Sequence, residues 1–111
     1  MTNSHADRQF AALADPSRRA IFERLARGPH AVGELAALFP ISRPAVSQHL
    51  RVLADADLVL YRRQGTQNIY SMNPDGLAEL RKYLDTMWSR ALEDFKALAE
   101  TSYRKPRKDK S

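Results

Sequence analysis

Hydrophobic positions along most of this 111-residue chain recur at intervals of three and four residues, which is the period of an amphipathic helix. The pattern predicts a short helix from Ala6 to Leu13 and a second one from Pro16 to the Gly28-Pro29 stop. Asp15 stands directly before Pro16, so a side-chain acceptor and a proline with a preset φ mark this helix start. Two helices are therefore expected in the first quarter of the chain.

The next segment predicts a helix-turn-helix. A two-turn helix runs from Val32 to Phe39, and the brief Pro40-Ile41 connection separates it from a helix that Ser42 caps and that runs to about Ala56. On a helical wheel, the polar side of this second helix lies within an arc of about 140°. The apolar residues Val46, Leu50 and Leu53 lie on the other side. One face packs, and the other is free to contact a partner.

The hydrophobic period then changes to two, which predicts a β-hairpin. Residues from Leu58 to Gln64 alternate, Gly65-Thr66 supplies a turn, and Asn68 to Met72 forms the returning strand. Asn73-Pro74 opens the longest predicted helix, which runs to about Glu100. Helices, a helix-turn-helix and a basic hairpin in this order describe a mainly α protein with a small β-hairpin, the winged helix-turn-helix fold.

The apolar stripe of the last helix is too long for a small domain to cover. It begins at Leu77 and continues to Leu98 at spacings of three and four. An exposed stripe of this length is expected to pair with a second copy of the chain. The predicted dimer interface lies on the first and last helices and comprises Phe10, Leu13, Leu80, Leu84, Met87, Trp88, Ala91 and Phe95.

Composition and charge add little about the partner. The chain is 43% hydrophobic and 28% charged, and its length suits one domain, which we place at residues 1–103. The net charge is +5, but the segment RKPRKDKS at residues 104–111 carries +4 of it. This segment is predicted to be a disordered basic tail, either an electrostatic arm for DNA or a solubilising end.

Several classes of function are disfavoured. The chain has no cysteine, no glycine-rich phosphate loop and no motif that pairs a nucleophile with a base, so an enzyme is not expected. No apolar run reaches the length of a membrane span, and the polar start MTNSHADRQ lacks the apolar core of a signal peptide. The sequence therefore predicts a cytoplasmic protein without a membrane partner.

Three segments closely resemble the ArsR family of bacterial transcriptional repressors: FAALADPSRRAIFERLARG, VGELAALFPISRPAVSQHLRVLADADLV and the hairpin that leads into IYSMNPDGLAELRKYL. The resemblance covers roughly residues 8 to 95, and SRPAVSQHLRVL and DPSRRAI are its most specific parts. It implies a homodimer, paired through the first and last helices, that binds a palindromic operator and blocks transcription until a signal releases it.

The same resemblance implies the metal-independent branch of the family. Relatives that sense metals carry cysteines at positions that match Ala31 and Gly33, or Asp and His ligands in the last helix, which here has no histidine. His5, His30 and His49 lie on three separate elements. No metal and no cofactor are expected, and the signal would be an unknown small molecule or protein. Pro40 departs from the glycine that relatives often have in the turn.

Two groups of residues are predicted to bind double-stranded DNA. Arginine bridges guanine O6 and N7, glutamine does the same for adenine N6 and N7, and serine reaches a base or a phosphate. The recognition-helix group is Ser42, Arg43, Pro44, Ser47, Gln48 and Arg51, and the wing group is Arg62, Arg63, Gln64, Thr66, Gln67 and Asn68. The alternatives are an ordinary solvated surface and a winged helix used only for protein contact, which would favour acidic or apolar residues there.

Overall fold

A computed structural model describes residues 4–110 of the chain, with side chains for residues 4–101. Within these residues the fold is mostly helical with a small antiparallel sheet, as the sequence predicts. Its elements in order are α1 (Ser4–Ala14), α2 (Pro16–Leu25), β1 (His30–Ala31), α3 (Val32–Leu38), α4 (Arg43–Asp55), β2 (Val59–Gln64), β3 (Gln67–Met72) and α5 (Pro74–Lys110).

Local capping explains where the helices begin. The Asp15 carboxylate accepts a hydrogen bond of 3.0 Å from the Arg18 backbone N–H, and the Ser42 hydroxyl accepts one of 3.2 Å from Ala45 N–H. A proline follows each cap in the first helical turn. Proline has no backbone N–H, and the N–H groups of the first turn have no partner within the helix, so no helical hydrogen bond is lost. The two helix starts predicted from the sequence are confirmed.

Arginine side chains close the end of α1. The Arg18 Nε donates to the Ala12 carbonyl at 2.6 Å, and Arg19 Nη1 donates to the Leu13 carbonyl at 2.8 Å. Carbonyls in the last turn of a helix lack partners inside the helix, and basic groups satisfy them favourably. Arg18 and Arg19 therefore fix the tight connection between α1 and α2.

The sheet contains one strand more than the predicted hairpin. Its order is β1-β3-β2, and both pairings are antiparallel. In β1, His30 pairs with Tyr70 and Ala31 pairs with Ile69. The hydrophobic pattern does not reveal β1, because two residues show no measurable period and the strand is defined by its pairing with β3.

Buried side chains from α2, α3, α4 and β2 form the core. Ile21, Leu35, Leu50 and Leu53 are fully buried and belong to one cluster with Val59 of β2. The structure divides into two compact units, one that ends at Leu80 and one that begins at Arg81.

The second unit consists of the remainder of α5. The sequence predicts that this helix ends at about Glu100, whereas its backbone continues to Lys110. The predicted disordered tail at 104–111 lies outside the residues whose side chains are described, so its disorder and the boundary at residue 103 stay predictions.

Candidate nucleic-acid interface

The polar side of α4 is exposed because its other side is anchored in the core. Val46, Leu50 and Leu53 are fully buried. They recur at three and four residues, so the opposite side of the helix must face away from the core. The exposed residues include all six of the predicted recognition-helix group: Ser42, Arg43, Pro44, Ser47, Gln48 and Arg51.

The β2–β3 hairpin supplies a second polar surface. Gly65 turns the chain with a φ of 62°, in the left-handed region that suits glycine, and its carbonyl accepts a 3.1 Å hydrogen bond from Arg63 Nε. The predicted wing residues are exposed, except Asn68, which is half-buried. The turn therefore presents arginine, amide and hydroxyl side chains around one tip.

A groove separates α4 from the hairpin. Its first part has a volume of about 170 Å³ and is lined by Ala31, Val32, Arg43, Ser47, Thr66, Gln67 and Asn68. Its second part has a volume of about 290 Å³ and is lined by Ser47, Arg51, Ala54, Asp55, Tyr61, Asn68 and Tyr70. Because both parts share Ser47 and Asn68, we treat them as one feature and call it the interface groove.

The interface groove brings together only some of the predicted site residues. Arg43, Ser47 and Arg51 of α4 lie across from Thr66, Gln67 and Asn68 of the wing. The remaining residues of the two predicted groups, which are Ser42, Pro44, Gln48, Arg62, Arg63 and Gln64, do not line it.

Two tyrosines that the sequence pattern did not indicate as site residues also line the groove. Tyr61 and Tyr70 are paired across β2 and β3, and their ring centroids lie 5.3 Å apart. Burial raises the pKa of the Tyr70 phenol, Tyr61 raises it further, and the positive charge of Arg51 opposes this. The alternation of hydrophobic and polar residues predicts both strands, but it does not give the register that places Tyr61 opposite Tyr70.

Comparisons with known proteins agree with this geometry. A family model described as a helix-turn-helix domain matches residues 13–62. The HTH-type transcriptional regulator Rv2034 of Mycobacterium tuberculosis is 57% identical over 95 residues, which cover 86% of this chain and 89% of that protein. The transcriptional repressor SdpR of Bacillus subtilis is 39% identical over 64 residues, which cover 58% of this chain and 71% of the repressor.

Solved structures give the same result. An ArsR-like transcriptional regulator from Rhodococcus superposes with a TM-score of 0.81 at 25% identity, over 89% of this chain and 93% of that one. A homodimeric winged helix-turn-helix DNA-binding domain from Mycobacterium bovis, described as a possible ArsR-family regulator, superposes with a TM-score of 0.64 at 28% identity, over 78% and 80% of the two chains. The chain belongs to the ArsR family of transcriptional regulators.

The predicted dimer residues of this ArsR-family regulator are not all on the surface. Phe10 is exposed and Leu13 is half-buried in the first unit. In the second unit Leu84, Met87, Trp88, Ala91 and Phe95 are all exposed. Leu80 is only 4% exposed, so it packs within the chain itself and has little surface left for a partner.

The histidines of this ArsR-family regulator lie apart from one another. His5 Nε2 is 3.1 Å from a Glu79 carboxylate oxygen and 3.9 Å from one of Asp57, and His30 Nδ1 is 3.5 Å from Glu34. Among the residues described, no three histidine or acidic side chains form a group suited to hold a metal ion. The Nδ1 atom of His49 is buried and has no hydrogen-bond partner among the described residues.

Within the described residues, no helix of this ArsR-family regulator combines the length and the apolar character that crossing a bilayer requires.

Proposed function

We propose that this regulator is a homodimeric repressor that binds a palindromic operator and does not sense metal ions. The observation that carries the proposal is the interface groove, where α4 and the wing present arginine, hydroxyl and amide side chains on one surface. These groups are the ones that proteins use to contact phosphates and base edges. A protein with this role acts in the cytoplasm, where bacterial DNA lies.

The second copy of the chain is proposed to pair along α5. Its exposed apolar residues Leu84, Met87, Trp88, Leu92, Phe95 and Leu98 are 37–66% accessible in the single chain. They recur at three and four residues and so lie on one side of the helix. Monomeric soluble proteins rarely expose an apolar surface of this extent, and the similar M. bovis domain is homodimeric.

A palindromic operator follows from the proposed symmetry. A twofold dimer presents two identical copies of α4, and each copy requires the same half-site in the opposite orientation. Repression is proposed because SdpR, a relative of this chain, is a transcriptional repressor.

Independence from metal ions is supported by the composition of the chain. It has no cysteine to supply a thiolate, and its histidines are distributed over α1, β1 and α4. A tight zinc site needs several such ligands that converge on one point. Release from DNA would then depend on a small molecule, a protein partner or the amount of regulator.

A module for protein contact alone is the competing function. It favours acidic or apolar side chains on the exposed side of α4, whereas that side carries Arg43, Ser47, Gln48 and Arg51. A footprint on the region upstream of the regulator's own gene tests the proposal. We expect protection of two inverted half-sites about one helical turn of DNA apart, or a multiple of it. A lack of protection at low salt would contradict it.

A further inference from the structure

We propose that the interface groove binds the sugar-phosphate backbone of one DNA strand, and that Arg43, Ser47 and Arg51 contact phosphates and not base edges. This inference rests on the proposed DNA binding and adds a division of labour within α4. The residues that line the groove contribute affinity for any duplex. Pro44 and Gln48, outside the groove, are left to read the sequence.

The spacing of the three residues supports a linear ligand. Positions 43, 47 and 51 follow one another at intervals of four, so their side chains form one row along α4. Eight residues of helix correspond to about 12 Å. A row of this length reaches more than one phosphate of the same strand.

The opposite wall of the groove offers uncharged donors. Thr66, Gln67 and Asn68 line the part nearest Arg43, and the Tyr61 and Tyr70 rings line the part nearest Arg51. Hydroxyl, amide and arginine groups are typical partners of phosphate oxygens, and the tyrosine rings suit contact with deoxyribose. Because the hairpin stands beside this edge of α4, a duplex that receives α4 in its major groove must pass one backbone between helix and wing.

The position of Arg43 fits this role. Its guanidinium lies over Gly33, with Nη1 3.5 Å from the place that a Cβ atom would occupy there. The side chain therefore lies against the start of α3 and lines the groove. It forms no ion pair with any of the residues whose side chains are described, so its charge is available to an anion.

The row of residues ends in an opposite charge. Asp55 is the next position after Arg51 at the same spacing, it is exposed, and it lines the groove beside Tyr61. A carboxylate repels a phosphate at short range. The DNA backbone must therefore leave the groove at this point, and neutralising Asp55 removes an unfavourable interaction.

Matched substitutions test the division of labour. The affinities of the wild type, Arg43→Ala and Gln48→Ala for the protected operator and for an unrelated duplex are measured by fluorescence anisotropy at several salt concentrations. Arg43→Ala is expected to weaken both duplexes by the same factor within about twofold and to reduce the salt slope by about 0.9. Gln48→Ala is expected to weaken the operator alone, roughly ten- to a hundredfold. A selective loss of the operator by Arg43→Ala would overturn the inference.

Asp55→Asn provides a gain of affinity that a misfolded protein cannot imitate. Its binding to both duplexes should be several-fold tighter at low salt, and the difference should fade as salt screens the charge. Unchanged or weaker binding at low salt would place the DNA backbone elsewhere.

Neutral methylphosphonate linkages then locate the phosphate. When single linkages of the operator are neutralised in turn, one position should weaken the wild type but have no further effect on Arg43→Ala, because the contact is already lost. If every position affects both proteins equally, Arg43 contacts no phosphate. If the wild type binds neither duplex, the proposed function itself fails, and this outcome is distinct from a base-reading Arg43.

Discussion

The carbonyl oxygen of Asp57 lies where a Cβ atom at Gly76 would have to stand. Asp57 has a φ of 60°, so the chain turns sharply after α4, and Asn73 Nδ2 donates to the same carbonyl at 3.0 Å. The buried Gln9 Nε2 donates to the carbonyls of Gly76 and Ala56 at 3.1 and 3.2 Å. This junction joins α1, the segment that follows α4 and the start of α5.

Gly76→Ala should destabilise the fold, because the added methyl group meets backbone atoms that cannot rotate away. We expect the free energy of unfolding to fall by about 1–3 kcal/mol, the usual cost of overpacking. Urea unfolding at a fixed protein concentration measures it. Gly28→Ala is the control, since a Cβ there meets nothing within 4 Å. Equal urea midpoints for Gly76→Ala and the wild type would show that the backbone at this junction shifts to accommodate the methyl group at little cost.

Asp15 should make the stability of the regulator depend on pH. Its hydrogen bond from the Arg18 backbone N–H holds the pKa of the carboxyl below the usual 3.8. Because the pKa of this carboxyl is lower in the folded than in the unfolded state, its ionised form stabilises the fold. This stabilisation is present at pH values above the pKa of the unfolded state, and it is lost as the pH falls through the pKa of the folded state. Asp15→Asn should therefore melt at a lower temperature than the wild type at pH about 7, and this difference should narrow as the pH falls below about 4 and close once the pH is below the folded-state pKa. A difference that stays constant in acid would rule out the charge as its cause.

Local signals made much of this fold predictable. Asp15 and Ser42 satisfy N–H groups only three residues away, so sequence alone places both helix starts. β1 depends on partners about forty residues along the chain, and no local pattern reports such a pairing. The contact between Tyr61 and Tyr70 likewise depends on the pairing of two strands, which no local pattern reports.

The candidate interfaces were predictable as surfaces but not in detail. Helical spacing separates the packed side of α4 from its exposed side, yet it does not tell which exposed residues face the wing. Only the position of the hairpin shows that Arg43 lines the groove beside the wing and that Gln48 does not. Likewise, an apolar stripe does not distinguish Leu80, which is covered by its own chain, from Leu84, which is not.

Charged substitutions on α5 should disrupt the proposed dimer. Leu84→Glu combined with Met87→Glu places two carboxylates on the exposed apolar surface, where burial against a second copy would be strongly unfavourable. Sedimentation at micromolar concentration should show a dimer for the wild type and a monomer, or unfolded chain, for the variant. Lys82→Glu, at an exposed and already charged position, is the control and should stay dimeric. A folded wild-type monomer would contradict the prediction.

The wing arginines should contribute affinity without sequence preference. Arg62→Ala or Arg63→Ala removes an exposed cation at the hairpin, so we expect similar losses on operator and unrelated DNA and a flatter salt dependence. Arg27→Ala removes an exposed arginine that follows α2, outside both α4 and the hairpin, and serves as the charge-matched control. Operator-selective loss in anisotropy titrations would show instead that the wing reads bases.

Metal ions should leave operator binding unchanged. Zn²⁺, Ni²⁺, Co²⁺ and Cu⁺ at low micromolar concentration, with or without chelator, are expected to alter the affinity by less than about twofold, or roughly 0.4 kcal/mol. The nearest approach to a ligand set is His5 with Glu79 at 3.1 Å and Asp57 at 3.9 Å. A stoichiometric, chelator-reversible loss of DNA binding in anisotropy titrations would contradict the prediction. If His5→Ala then abolished that loss, the site would lie at this contact between α1 and α5, beside the junction of Asp57 and Gly76.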